Sequence, residues 1–343
     1  MLLLDMSYPF SCMNSLLVAL WISDNAGACL GLILNSILLF TVLKTADSKT
    51  RTTSYLFLTS AVFDMLFSLT ELAVQHQLLI KNGIFMVMPH GIEAYLDPWT
   101  YPWLMAPHAA LVVHSIHILP ALCHYRYKLI TSGAVMNPLL ILRNIGYASA
   151  ASVCLGAFFG LGAYQAGLRG YQHYVPYVTP EWFAEDGTTP FRYACDMRDW
   201  ATVVFFYGSS VSATTSIYLA GRYTVQAWKA VNTQHSSERT KELQRQFTRS
   251  LIAQTVNAGI FAIFPVSLTT ISMQLRLDAD MIGTIVMSPL SWLPSANALL
   301  TIFLIKAYRH YVLPAVAQRF GRHQLATTVF LDSILNRIHD DTV

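Results

Sequence analysis

The sequence predicts an all-α membrane protein: a bundle of seven transmembrane helices with its N-terminus outside and its C-terminus inside. Three observations lead there. Of 343 residues, 54% are hydrophobic and only 12% are charged, about half the charge fraction of a soluble domain, and the mean hydropathy is +0.43. Seven runs with few or no charges are long enough to cross the hydrocarbon core, which takes roughly 20 apolar residues. Lysine and arginine divide 17 against 5 between the two sets of connections that seven spans create. The richer set belongs in the cytoplasm. The net charge of +3 is then topological and gives no reason to expect nucleic acid.

The first run is Asn25–Leu43. Residues 1–21 are read as an extracellular N-terminal segment without a basic n-region, so the first span is expected to be its own insertion signal. The second run, Ser54–Ile80, contains Asp64 and Glu71. Each carboxylate costs a few kcal/mol at the centre of a membrane helix, so both should face the bundle interior. Ser60, Asp64, Ser68, Glu71 and Gln75 fall on one helical stripe. That stripe fits a polar seam between helices or a water-lined interior.

The third run, Pro98–Tyr125, has no Asp, Glu, Lys or Arg and stops within "ALCHYRYKLI", where Arg126 and Lys128 follow it. It carries His108, His114, His117 and His124, the last three spaced to share a face. Helix packing or cavity lining is the expected role, because three imidazoles without carboxylates or further His pairs do not complete a metal set. No metal and no cofactor are expected. The fourth and fifth runs are Asn144–Leu168 and Trp200–Gly221. Between them, residues 169–199 read as an outer lid rich in Tyr, Pro and acids.

The sixth run is Ser250–Leu275, and residues before it form a helical extension capped by Ser236 or Ser237. The seventh is Met281–Ile305. In the tail, 306–343, "KAYRHYVLPAVAQRFGR" reads as a short helix on the membrane surface. The core domain is thus 22–305. Only Cys12 and Cys195 fall in outer segments, so they are the candidate disulfide. No Gly-rich phosphate loop, Gly-x-Ser-x-Gly, His-Glu-x-x-His or Cys-x-x-Cys occurs, and no enzyme is expected.

Seven helices with basic inner connections resemble a G-protein-coupled receptor. "YRYKLI" resembles the end of the third helix of rhodopsin-like members, with Arg126, Tyr127 and Ile130 in place and Tyr125 where their acid stands. Over nearly the whole chain, "LGLILNSILLFTVLKT", "TTSYLFLTSAVFDMLFSLTEL", His90–Gly91, "HYRYKLI", "KELQRQFTRSLIAQTVNAGIFAIFP" and "PLSWLPSANALLTIFLIKAYR" resemble, in order and spacing, a nematode serpentine chemoreceptor of the Str superfamily, nearest to serpentine receptor class delta (Srd). The chain departs from that pattern in having no cysteine over Glu93 to Trp103, Ala258 where a proline is frequent, and Asn297 where an Asp-Pro is common.

The resemblance implies a chemosensory receptor in the plasma membrane, at sensory neuron cilia. It would bind an extracellular small molecule, an odorant or pheromone, and activate a heterotrimeric G protein. Ligand candidates at the outer ends are His108, His114, Tyr207, Gln274 and Trp292. Asn35, Asp64, Glu71 and Asn297 would form an interior polar core, with Asp64 held by Asn35 and Asn297. Arg126, Tyr127, Lys241, Arg245, Phe247, Arg249, Tyr308 and Arg309 would form the G-protein face. Two alternatives remain at this point: an odorant-gated cation channel of inverted topology, and a membrane enzyme using His114, His117 and His124.

Overall fold

A computed structural model describes residues 15–45, 51–92, 96–97, 100–132, 138–178, 193–233 and 237–320. Seven helical stretches in it are long and apolar enough to cross a membrane. Their outward faces carry large apolar side chains such as Ile33, Phe40, Val153, Val211 and Phe264, as a lipid-facing surface requires. Cys12, the N-terminal segment up to residue 14 and the tail beyond 320 lie outside the described residues.

Helix α1 spans Ser15–Thr45 and α2 spans Arg51–Val74. The second span therefore stops short of the expected Ile80. Gln75 leaves the helix at φ 46°, so the stripe of polar residues ends at Glu71. Strand β1 follows at His76–Lys81 and β2 at Ile84–Pro89. Asn82 and Gly83 join them, both at positive φ (50° and 77°), the geometry of a two-residue hairpin turn that favours Asn-Gly.

Helix α3 is Tyr101–Ser132 and α4 is Pro138–Gly167. Strand β3, Tyr193–Asp196, pairs antiparallel with β2 and completes a sheet of order β1-β2-β3. The fold is thus mainly helical, and the all-α expectation is corrected by this small sheet. Both faces of the sheet are buried. Ile80, Phe85 and Val87 pack among Tyr101, Phe159 and Phe206 of the bundle. Leu79, Met86 and Met88 pack on Leu17, Tyr174 and Val178.

Helix α5 is Trp200–Thr233. The sixth span is built of α6 (Glu238–Ala258), a π-helical turn at Gly259–Ile263 and α7 (Phe264–Gln274). Ser237 caps it, accepting from the Thr240 backbone N–H at 3.3 Å. Pro265 lacks an N–H and cannot continue the helical ladder, which places the irregular turn just ahead of it. The seventh span is α8 (Asp280–Met287), a 3-10 turn at Ser288–Trp292 and α9 (Leu293–Leu304). Helix α10, Lys306–Phe320, follows it.

The open edge of β1 is closed by the start of the seventh span. The Ala279 N–H donates to the Ile80 carbonyl at 2.9 Å. Thr284 Oγ1 accepts from the Leu78 N–H at 3.2 Å and donates to its carbonyl at 2.6 Å. A strand edge covered this way leaves no template for pairing with another chain. The sheet is a plug fixed to the bundle at one end. Arg126 lies at the other end.

Candidate functional site: a cavity beneath the sheet and a buried arginine

Beneath the sheet, α3, α5 and the sixth and seventh spans enclose a cavity of about 50 Å³. On the same measure one water takes roughly 10–15 Å³. Its walls are aromatic and aliphatic, with His76, His108, Ser209 and Thr269 as polar points. An apolar pocket with few polar groups is the usual form of a small-molecule site.

Of the expected ligand residues, only His108 lines this cavity. His114 is buried against Phe63, with ring centroids 3.9 Å apart. Tyr207 is 46% exposed and turned outward, and Gln274 is exposed as well. Trp292 turns to helix α1, donating from Nε1 to Ser23 Oγ at 3.1 Å. Phase decides the Tyr207 case: Phe205, Phe206 and Ser209 take the inward face of α5, leaving Tyr207 outside.

The helix α3 histidines disperse rather than converge. His114 faces α2, His117 Nδ1 lies 3.0 Å from Ser152 Oγ on α4, and His124 packs on the Tyr223 ring of α5 at 4.6 Å. They cannot share an ion. A different group does come together beside the cavity: Glu71, His76 and His108. His76 escaped the sequence reading because it was assigned to a continuing helix.

The interior polar chain runs from α2 to α6. Asp64 is buried, and Asn297 Nδ2 lies 3.3 Å from its Oδ2 and 3.5 Å from Oδ1. Asn257 Nδ2 donates to Asn297 Oδ1 at 2.8 Å, tying the sixth span into the chain. Asn35 does not hold Asp64. Its Nδ2 donates instead to the carbonyls of Gly31 and Pro294, at 2.9 and 3.0 Å. Glu71 is buried too, but belongs with the histidines.

At the opposite end Arg126 is completely buried, and α3 continues past it to Ser132. Its guanidinium Nη2 donates to the Gln244 carbonyl at 3.1 Å and, in a short contact, to Gln244 Oε1. The guanidinium carbon sits 5.1 Å over the Phe247 ring, within reach of a cation–π attraction. Phe247 stacks on Phe57 at 5.7 Å, and Tyr308 meets Phe57 edge-on. Tyr125 is buried and has no hydrogen bond to its hydroxyl among the described residues.

The remaining cations lie around this plug. Lys241 pairs with Glu238 at 3.0 Å. Arg245 donates to Asn232 Oδ1 at 3.3 Å, and Arg249 lies over the Trp228 ring. Arg309 is buried and donates to the Phe303 carbonyl at 3.3 Å. Tyr127, half-buried, packs with Ala227 and Val231 of α5. Gln244 and Phe57 were not singled out from the sequence.

Residues flanking the sheet form a charged clamp. Arg169, just after α4, binds both Asp199 carboxylate oxygens and the Tyr174 hydroxyl, the latter at 2.9 Å. Arg198 binds Asp196 at 2.5–3.0 Å. Burial pushes the Asp196 carboxyl up, but the Arg198 hydrogen bonds and the two guanidinium charges outweigh it and hold it below the ordinary carboxylate range. Cys195, between these elements, is a buried free thiol. Its Sγ lies 3.9 Å from the Phe159 carbonyl. Cys12, its partner in the candidate disulfide, lies outside the described residues.

Seven apolar spans around an enclosed cavity define a heptahelical membrane bundle. The family model described as serpentine type 7TM GPCR chemoreceptor Str matches residues 21–168 and 171–313, and the chain belongs to that family. The family is one of receptors and not of enzymes. No curated protein matches the chain.

Proposed function

We propose that this protein detects an extracellular small molecule and activates a heterotrimeric G protein, with the N-terminus outside the plasma membrane and the C-terminus inside. The ligand enters the cavity beneath the sheet. The transducer engages the Arg126 end. The 17-to-5 division of basic residues supports that orientation,. The motifs nearest to class delta support a nematode sensory role, in olfaction or pheromone detection, at neuronal cilia.

The observation that carries the reading is the coexistence of an apolar cavity at one end with a buried, plugged arginine at the other. A ligand shifts such a bundle only through tighter binding to one of its states. Movement of α6 away from α3 withdraws Gln244 and Phe247 from Arg126. That exposes an apolar surface rimmed by Lys241, Arg245 and Arg249 to a partner helix. Apolar burial then supplies most of the affinity, and the cations steer the encounter.

The test is expression with a promiscuous G protein, screened against volatile and water-soluble compounds. A tag before Met1 should stain on intact cells, and one after Val343 only after permeabilisation. A compound-evoked response lost in Arg126→Ala at equal surface level is the expected result. Reverse staining, or ligand-gated current without G protein, would replace this reading with the inverted channel.

A further inference from the structure

We propose that Glu71, His76 and His108 form a binding site for a divalent transition-metal ion of the zinc or copper class. The three side chains come from α2, β1 and α3, and all are buried or nearly so. Glu71 Oε2 lies 3.3 Å from His108 Nε2, and Glu71 Oε1 lies 3.8 Å from His76 Nδ1. One ligand atom of each residue lies within 4.8 Å of the others. Bonds of about 2.0–2.2 Å around a tetrahedral ion put neighbouring ligand atoms roughly 3.3–3.5 Å apart, so the Glu71–His108 edge already has that length.

Hydrogen bonding shows why something positive belongs between them. Thr70 Oγ1 donates to the Phe67 carbonyl at 2.9 Å, so towards His108 Nδ1, 3.2 Å away, it can only accept. Nδ1 therefore carries the His108 proton, and Nε2 presents a lone pair. That nitrogen lies beside the Glu71 carboxylate. Glu71 Oε2, His108 Nε2 and His76 Nδ1 are all buried without a hydrogen-bond partner. Buried polar atoms are rarely left so, and three residues whose ligand atoms gather within 4.8 Å fit a ligand set.

Thr70 also plays the part usual beside a metal-bound imidazole, fixing tautomer and ring orientation through the other nitrogen. Two imidazoles with one carboxylate suit zinc or copper, whereas calcium and magnesium take oxygen ligands. His76 and His108 also line the cavity, which leaves the fourth coordination position on that side for water or a donor atom of a bound molecule. The sheet is essential to the arrangement, since His76 stands on its first strand.

The test uses the full chain, purified in detergent, stripped with chelator, loaded with Zn²⁺ alone and desalted, with metal measured by elemental analysis. About one zinc per chain is expected. His76→Ala, His108→Ala and Glu71→Gln should each weaken binding at least tenfold, while His117→Ala, facing α4, should retain it. Zn²⁺ should raise the melting temperature of the wild type and not of the His76→Ala, His108→Ala double variant. If a variant does not fold, the wild-type stoichiometry decides by itself. Wild-type protein that retains no zinc, or a folded double variant that binds it as the wild type does, would overturn the site and leave a shared proton between Glu71 and His108. No ligand or G protein enters this measurement, so its failure leaves the receptor reading standing.

Discussion

At the scale of single residues, the polar chain from Asp64 through Asn297 to Asn257 joins three spans by side-chain hydrogen bonds. A carboxylate at this depth costs a few kcal/mol unless partnered, and Asn297 and Asn257 sit on the seventh and sixth spans, which the proposed movement of α6 would shift. Asp64→Asn keeps the shape and removes the ionisable group. It should alter basal and ligand-evoked signalling several-fold with little loss of surface protein, measured by paired reporter and surface-label assays. Equal losses in both would mean that Asp64 serves only folding. Asp64 was legible from the sequence because an intramembrane carboxylate is expensive, whereas Arg126 and Asn297 came from the resemblance. Gln244 was not: a glutamine among "KELQRQF" looks like a solvated helix former, and its partner lies 118 residues away. Tyr207 was misread because apolar and aromatic residues line both faces of a membrane helix, so composition cannot set the phase.

At the scale of elements, the sheet was missed although its turn was written in the sequence. Asn82-Gly83 between "HQLLIK" and "IFMVMP" is a strong hairpin signal. An unbroken apolar run buried on both faces reads equally as helix, and the membrane context tipped the reading the wrong way. The clamp beside the sheet gives a pH prediction. The Asp196 carboxyl is depressed in the folded state, so its stabilisation is complete above the unfolded value of about 3.9 and is lost as pH falls through the lower folded value. Asp196→Asn should melt several degrees below the wild type at pH 7, and the gap should close as pH falls below the unfolded value and through the lower folded one,. A gap independent of pH would show that shape rather than charge matters there.

Helices α3 and α4 meet along small residues, as membrane helices do where backbones approach closely. A Cβ on Gly156 would stand 2.5 Å from the Ala106 carbonyl oxygen and 2.7 Å from the Ala110 Cβ. Gly156→Val should therefore cost about 3 kcal/mol or more and sharply reduce surface receptor. Gly146→Ala is the control, since nothing lies within 4 Å of its added carbon. Surface labelling of the two variants in parallel checks this, and equal expression would refute the tight seam.

At the scale of the whole molecule, the sheet covers the cavity at one end of the bundle and α6 covers Arg126 at the other, the arrangement we propose for the inactive receptor. Tyr125, not a carboxylate, precedes Arg126 on the third span, and a glutamine on the sixth span holds the guanidinium. A hydrogen bond to a charged group contributes about 1.5–3 kcal/mol, which is roughly a 13- to 160-fold shift between two states. The most direct test is the ligand-free signalling of Gln244→Leu through a promiscuous G protein, at surface levels matched to the wild type. The account predicts basal signalling raised several-fold or more, and silence again when Arg126→Ala is added. Basal signalling of Gln244→Leu equal to that of the wild type at matched surface level would contradict it.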